Sequence, residues 1–201
     1  MKKLFLVGAL ALFGAMNAQK NTLLVGGNVG FESIKNEAND AKANNFEFNP
    51  TIGYQFHDNW TAGVKLGLGN TKNEFYEFVD IQNLTKVTSK ENTFQYGVFG
   101  RYTLPLNETF AFFGEMDVMF ANSKNTTEYN GKTSTSKGTG FGVMFTPNLF
   151  INFKNSFGMN FNIGGLGYST TKAKGASNSI NNFQFGFGKG VTVGVSKNFK
   201  L

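Results

Sequence analysis

Four charged residues are spaced so that they could work together. Lys65, Arg101, Glu115 and Asp117 each sit among small or polar residues that alternate with apolar ones. Two cations and two carboxylates on neighbouring segments at similar heights can neutralise one another, which matters because an isolated buried charge costs far more than a compensated one. Two readings of the quartet stay open, structural packing and a proton- or ligand-dependent role. Glu115 and Asp117 could also pass for a carboxylate pair of the acid/base kind, but a narrow, charge-neutralised interior gives a substrate no entrance. His57 is the sole histidine. It lies beside Asp58 in a short turn with no serine on a rigid element nearby, so a general base would have no nucleophile within reach. Glu74, Glu77 and Asp80 offer three carboxylates in the loose spacing of a solvated loop. Cysteine is absent, which excludes thiol catalysis, thiolate metal sites and a disulfide scaffold. The expectation is a protein without catalytic residues, cofactor or metal.

The elements that position these side chains follow from a repeated two-residue period. In FEFNPTIGYQFHDNWTAGVKLGLG (46–69), every second residue from Phe46 to Phe56 and, after a short turn, from Trp60 to Leu68 is apolar or amphipathic, and the residues between are polar or glycine. Alternate side chains of a strand point to opposite faces, so this is an antiparallel hairpin with one greasy face and one polar or empty face. The pattern recurs to give eight strands, at about 22–32, 46–56, 60–69, 93–104, 109–121, 139–152, 157–168 and 183–200. The short connectors HDN, PLNET and FKNS alternate strictly with long polar segments, SIKNEANDAKANN, 71–92, NSKNTTEYNGKTSTSKG and STTKAKGASNSIN. All short turns therefore fall at one end of the sheet, with both chain ends, and all long loops at the other. The segment EFYEFVDI (74–81) is expected to extend a strand or form a contact surface.

The 201 residues include 24 phenylalanines and 25 glycines. Eight strands close around room for side chains or one small ligand. Turning Phe, Trp, Tyr and Leu inward would overfill that space while pointing tiny residues at water, so volume favours the apolar face outward, against lipid. The fold class expected is all-β, an eight-stranded antiparallel up-and-down transmembrane β-barrel with a lipid-facing apolar exterior. Tyr54, Phe56, Trp60, Tyr102, Phe110, Phe153, Phe157 and Phe199 cluster at the short-turn end as a periplasmic aromatic girdle. Inward-facing residues expected beside the four charges are Phe99, Phe113, Met119, Met144, Phe150, Leu166 and Tyr168, enough to obstruct a general diffusion pore. Pro50 and Pro147 each remove a ladder donor and are expected at bulges or unpaired positions.

The first eighteen residues, MKKLFLVGALALFGAMNA, have the basic start, apolar run and small final residue of a secretory signal peptide, placing the barrel domain at 19–201. The net charge of +6 falls to +4 without Lys2 and Lys3, and its dispersal gives no basis for nucleic-acid binding. GGNVGFES (26–33), NPTIGYQFHDNWTAGVKLGLG (49–69), FQYGVFGRYTLPL (94–106), INFKNSFGMNFNIGGLGYS (151–169) and GVTVGVSKNF (190–199) resemble the small outer-membrane β-barrel domain family of Gram-negative bacteria, especially Bacteroidetes. The resemblance implies a location in the cell outer membrane and insertion by the barrel-assembly machinery, with one departure: such barrels usually end in an aromatic residue that this machinery reads, whereas here Phe199 is followed by Lys200 and Leu201. It implies structural or adhesive work, not chemistry.

Function is then expected in the long loops, as structural support, adhesion or binding of an extracellular ligand. Lys124, Lys132, Lys137, Lys172 and Lys174 give one side of the barrel mouth a positive bias that suits lipopolysaccharide headgroups. The alternative is a narrow channel or lateral-release pocket for a small hydrophobic molecule. A monomer with outer-membrane lipid and lipopolysaccharide as neighbours is the assembly expected.

Overall fold

A computed structural model describes residues 20–78, 84–153 and 156–201, apart from the side chains of residues 78, 189 and 190. The segment 1–18, expected to be a signal peptide, and Asp80 lie outside the described residues. Eight strands run in sequence order: β1 (Thr22–Asn36), β2 (Ala41–Gln55), β3 (Trp60–Phe78), β4 (Leu84–Pro105), β5 (Phe110–Tyr129), β6 (Lys132–Asn152), β7 (Phe157–Ala173) and β8 (Ile180–Lys200). Each pairs antiparallel with its sequence neighbours, and β1 pairs with β8 to close the barrel.

The alternation read from the sequence sets the two faces. Val64, Leu66, Leu68, Val98, Tyr96, Phe94, Phe112, Met116 and Phe120 are exposed on the outside, while Leu24, Val87, Phe99, Ala111 and Phe113 are the buried apolar residues among those described. Inward glycines are not empty. The Phe99 ring lies over the cross-strand pair Gly53↔Gly63, where a Cβ would stand 2.7 Å from Phe99 Cζ and 2.6 Å from Phe99 Cε1 respectively. Met119 fills the space at Gly97, Met144 that at Gly167, and the Phe150 ring that at Gly158. The core is therefore a layer of large side chains laid across the glycines of neighbouring strands. It fits the narrow lumen of an eight-stranded barrel.

The strands run well past the ends expected from the sequence. Most of the long polar segments are not loops but continued ladder. β5 and β6 pair from Phe110↔Ile151 to Tyr129↔Lys132 and turn through Asn130 and Gly131, both in the left-handed region at φ 47° and 72°. β4 is 22 residues long. About 9–11 tilted residues cross a bilayer, so roughly half of this strand stands beyond the hydrocarbon. EFYEFVDI contributes its first five residues, Glu74 to Phe78, to the end of β3.

A second correction concerns β7. The β6–β7 ladder slips between Phe145↔Leu166 and Asn148↔Asn162, and the β7–β8 ladder slips at Asn162/Gly164. The extra β7 residue reverses the side-chain phase above it. Leu166 and Tyr168 consequently face outward and are exposed, not inward as the uninterrupted period had them. Pro147 sits at this slip, between Phe145 and Asn148. Pro50 occupies a lapse in the β2–β3 ladder between Phe48↔Leu68 and Thr51↔Lys65.

The packing of Phe99 over two glycines predicts unequal tolerance of small additions. Gly63→Ala should destabilise the barrel by about 1–3 kcal/mol or prevent insertion, through overpacking against Phe99 and the β2 backbone. Gly69→Ala, whose nearest neighbour would be 3.6 Å away, should change stability by no more than about 0.5 kcal/mol. Urea unfolding followed by the heat-modifiable gel band checks both.

Candidate functional site

The lumen quartet assembles as one network. β4 and β5 set Arg101 directly opposite Glu115, and β3 brings Lys65 in opposite Gly97. Arg101 donates from Nε and Nη2 to Glu115 Oε2 at 2.7 and 2.6 Å. Lys65 pairs with Glu115 Oε1 and, at 2.7 Å, with Asp117 Oδ1. Glu115 and Asp117 are buried, so the compensation that the sequence calls for is present in the geometry. The cations also sit on aromatic faces, with Arg101 Cζ 4.0 Å from the Phe113 centroid and Lys65 Nζ 5.6 Å from that of Phe99. This pairing leaves Lys65 and Arg101 committed to carboxylates and rings.

Around the network the lumen is divided. A cavity of about 770 Å³ lies on the long-strand side, lined by Asn28, Glu47, Asn49, Gln95, Asn160 and Asn162 among others. A smaller one of about 80 Å³ lies at the short-turn end, lined by Gln55, Asp58, Phe150, Asn152 and Asn198. Leu24, Arg101, Phe113 and Ser196 line both and separate them. Phe99, Phe113 and Phe150 thus face inward as the period requires. His57 stays in the β2–β3 turn, where its backbone exchanges hydrogen bonds with Trp60 and its Nδ1 accepts one from the Asn59 backbone. Among the described residues no group of three or more His, Asp or Glu could hold a metal ion.

The aromatic residues form two levels. At the short-turn end Tyr54, Phe56, Trp60, Tyr102, Phe110, Phe157 and Phe199 are exposed on the outer surface. Trp60 and Tyr102 meet edge-on at 5.0 Å, and Phe153 stacks on Phe157 at 6.1 Å. Lys197 lies over Phe199 at 5.1 Å, a cation at the headgroup edge. The upper level was not singled out from the sequence: Phe94, Tyr96, Phe120 and Phe141 form a continuous row of ring contacts at 5.9, 5.8 and 5.3 Å.

Lysines stand immediately above that upper row, and they lie mainly on strands. Lys124 is on β5, Lys132 and Lys137 on β6 and Lys172 on β7, with Lys174 just beyond, its N–H donating to the Lys137 carbonyl at 2.7 Å. Lys124 and Lys137 are directly opposite each other and share the outward face with Phe120 and Phe141. Lys132 begins β6 at the turn, opposite Tyr129. The β3–β4 side carries lysines as well, but there Glu74 pairs with Lys72 at 2.6 Å and Lys86 at 3.0 Å. Hydrogen bonds from Lys72 and then Lys86 hold the Glu74 carboxyl down at about 2. Lys90 pairs with Glu128 at 3.5 Å. Among the described residues Lys124, Lys137, Lys172 and Lys174 have no such carboxylate. Like charges directly opposite in a ladder are destabilising, and among the described residues no carboxylate offsets the Lys124↔Lys137 pair.

Comparison with known proteins gives a family and a structural neighbour. A family model described as an outer membrane protein beta-barrel domain matches residues 5–188. No curated protein matches. Among solved structures, the chain is similar to Ail, the attachment invasion locus protein of Yersinia pestis, at 14% identity with a TM-score of 0.47, covering 90% of this chain and 100% of that one.

Removing one member of the buried network leaves a charge without its partner. Arg101→Met should destabilise the folded barrel by about 3–5 kcal/mol, far more than Lys90→Gln on the exposed surface, where a pair contributes about 0.2–1 kcal/mol. Urea midpoints of the two variants in one detergent test the difference.

Proposed function

Since the chain belongs to the outer membrane protein beta-barrel domain family, we propose that it is a non-enzymatic structural barrel of the outer membrane whose outward β5–β7 face binds lipopolysaccharide. The arrangement that supports this reading is the uncompensated pair Lys124↔Lys137 standing above the aromatic row Phe94–Tyr96–Phe120–Phe141. Phosphate groups would sit against the lysines and acyl chains along the rings. Two chemistries that belong to one lipid thus meet on one face at the right heights. Lys172 and Lys174 extend the cationic surface onto β7 and the segment that follows it. The divided lumen supports a barrel that does not serve as a general diffusion pore. In this reading a signal peptide at 1–18 is removed on export, the assembly machinery inserts the barrel as a monomer, and the polar strand extensions form the surface available to an extracellular ligand.

The lysine row makes a specific prediction about affinity. In reconstituted protein, Lys124→Gln with Lys137→Gln should weaken lipopolysaccharide binding by about three- to tenfold, and dephosphorylated lipopolysaccharide should bind the wild type and this variant alike. Lys72→Gln with Lys86→Gln should have little effect, because Glu74 already neutralises that side. Equal weakening by the two double variants, or none by the first, overturns the proposal.

A further inference from the structure

The wall of the barrel is incomplete at one seam. β1 and β8 pair from Thr22↔Lys200 to Gly27↔Val195 and no further. β1 continues against β2 up to Asn36↔Ala41, and β8 continues against β7 to Ile180. Residues 28–36 and 180–194 therefore each have one edge without a strand partner among the described residues. Between Asn162↔Thr192 and Gly164↔Phe187, β8 uses five residues where β7 uses two, and Gly188 bends the strand at φ 71°. That irregularity falls where the seam ends.

The opening reaches the apolar band. Val29 and Phe31 form one lip and Phe183 and Phe185 the other, and they are 66, 75, 68 and 67% exposed. In the fully paired wall Phe94, Tyr96 and Phe120 are only 44–45% exposed. The difference is the cover that a neighbouring strand would give. Behind the lips lies the large cavity, whose lining includes Asn28 from one side and Gln184, Phe185 and Gly186 from the other.

Charge in that cavity is not balanced. Lys65 and Arg101 face Glu115 and Asp117, and Glu47 adds a further carboxylate to the lining. Glu47 stands opposite Gly30 on the unpaired length of β1, and a Cβ on Gly30 would be 3.1 Å from Glu47 Cγ and 3.5 Å from Oε1. The carboxylate thus leans across Gly30 at the opening. Its one hydrogen bond among the described residues is from Asn49 Nδ2 at 3.5 Å, and it has no ion pair there.

We propose that the β1–β8 cleft admits a single-chain amphiphile with a cationic head, its hydrocarbon tail between Phe31 and Phe185 and its head against Glu47. An unpaired strand edge facing hydrocarbon leaves N–H and C=O groups unsatisfied at several kcal/mol each. Cavity water on the polar side and a tail over the rings on the lipid side relieve both mismatches. Among the described side chains lining the cavity, an anionic head would meet Glu47 with no free cation, since Lys65 and Arg101 are already engaged. The cleft lies away from the lysine pair of β5 and β6 and does not depend on the lipopolysaccharide reading.

The test uses the full barrel in nanodiscs of zwitterionic lipid. The chain has no cysteine, so Thr192→Cys in the cavity lining takes a single environment-sensitive fluorophore. Dodecyltrimethylammonium should give a saturable response, and dodecanoate should bind at least about tenfold more weakly. Gly186→Trp should abolish the response, because a Cβ there has nothing within 4 Å and the indole can occupy the cleft. Gly100→Trp, equally unobstructed but on the closed wall, should leave it intact. Glu47→Gln should remove the preference for the cation while the fold, read by the heat-modifiable band, is kept. A response that never saturates, survives in Gly186→Trp, or is as strong for dodecanoate would overturn the proposal.

Discussion

The governing constraint is that a backbone N–H or C=O inside hydrocarbon has no water to bond. A spanning sheet must therefore close on itself. Closure with eight strands leaves a lumen too narrow for large residues on every inward position. The composition answers this directly. Phenylalanine, leucine and valine take the outer face, and glycine takes many of the inner positions so that a few rings can lie across them. Phe99 over Gly53 and Gly63 is the clearest instance. The four central charges belong to the same solution, since polar inward positions in a water-poor space require partners, and Lys65, Arg101, Glu115 and Asp117 supply them to one another.

Beyond the membrane the constraint relaxes and the strands go on for another purpose. Above the Phe94–Phe141 row the strands become largely polar, yet the ladders continue to the turns. Backbone pairing there gives a stiff surface on which charges keep fixed positions. The uneven distribution of carboxylates matters for that reason. Glu74 and Glu128 neutralise Lys72, Lys86 and Lys90 on β3 and β4, while among the described residues the lysines on β5, β6 and β7 have no carboxylate partner.

Much of this was legible in the sequence because it is local. A two-residue period, short turns such as HDN, and the parity of Lys65, Arg101, Glu115 and Asp117 are properties of neighbouring residues. What was not legible involved either the loss of the period or an interruption in it. The polar ends of the strands read as loops because alternation cannot be seen when both faces are hydrophilic. Leu166 and Tyr168 were set inward because an extra residue in β7 leaves no mark in the apolar pattern, although Gly164-Gly165 is the sort of pair that permits one. The short β1–β8 seam depends on two strands from opposite ends of the chain, and no nearby residue reports it. Likewise, the stacking of Phe94, Tyr96, Phe120 and Phe141 is a cross-strand property set by register.

The account depends on which face of the sheet meets lipid, and collisional relaxation of single nitroxide labels tests that most directly. Labels at Val64 and Val98, in protein reconstituted into bilayers, should be relaxed strongly by oxygen and weakly by a water-soluble nickel complex. Labels at Gln95 and Asn49, which line the large cavity, should show the reverse order. If Val64 and Val98 instead proved accessible to the nickel complex and Gln95 and Asn49 to oxygen, the apolar face would be turned inward and the barrel described here would be wrong.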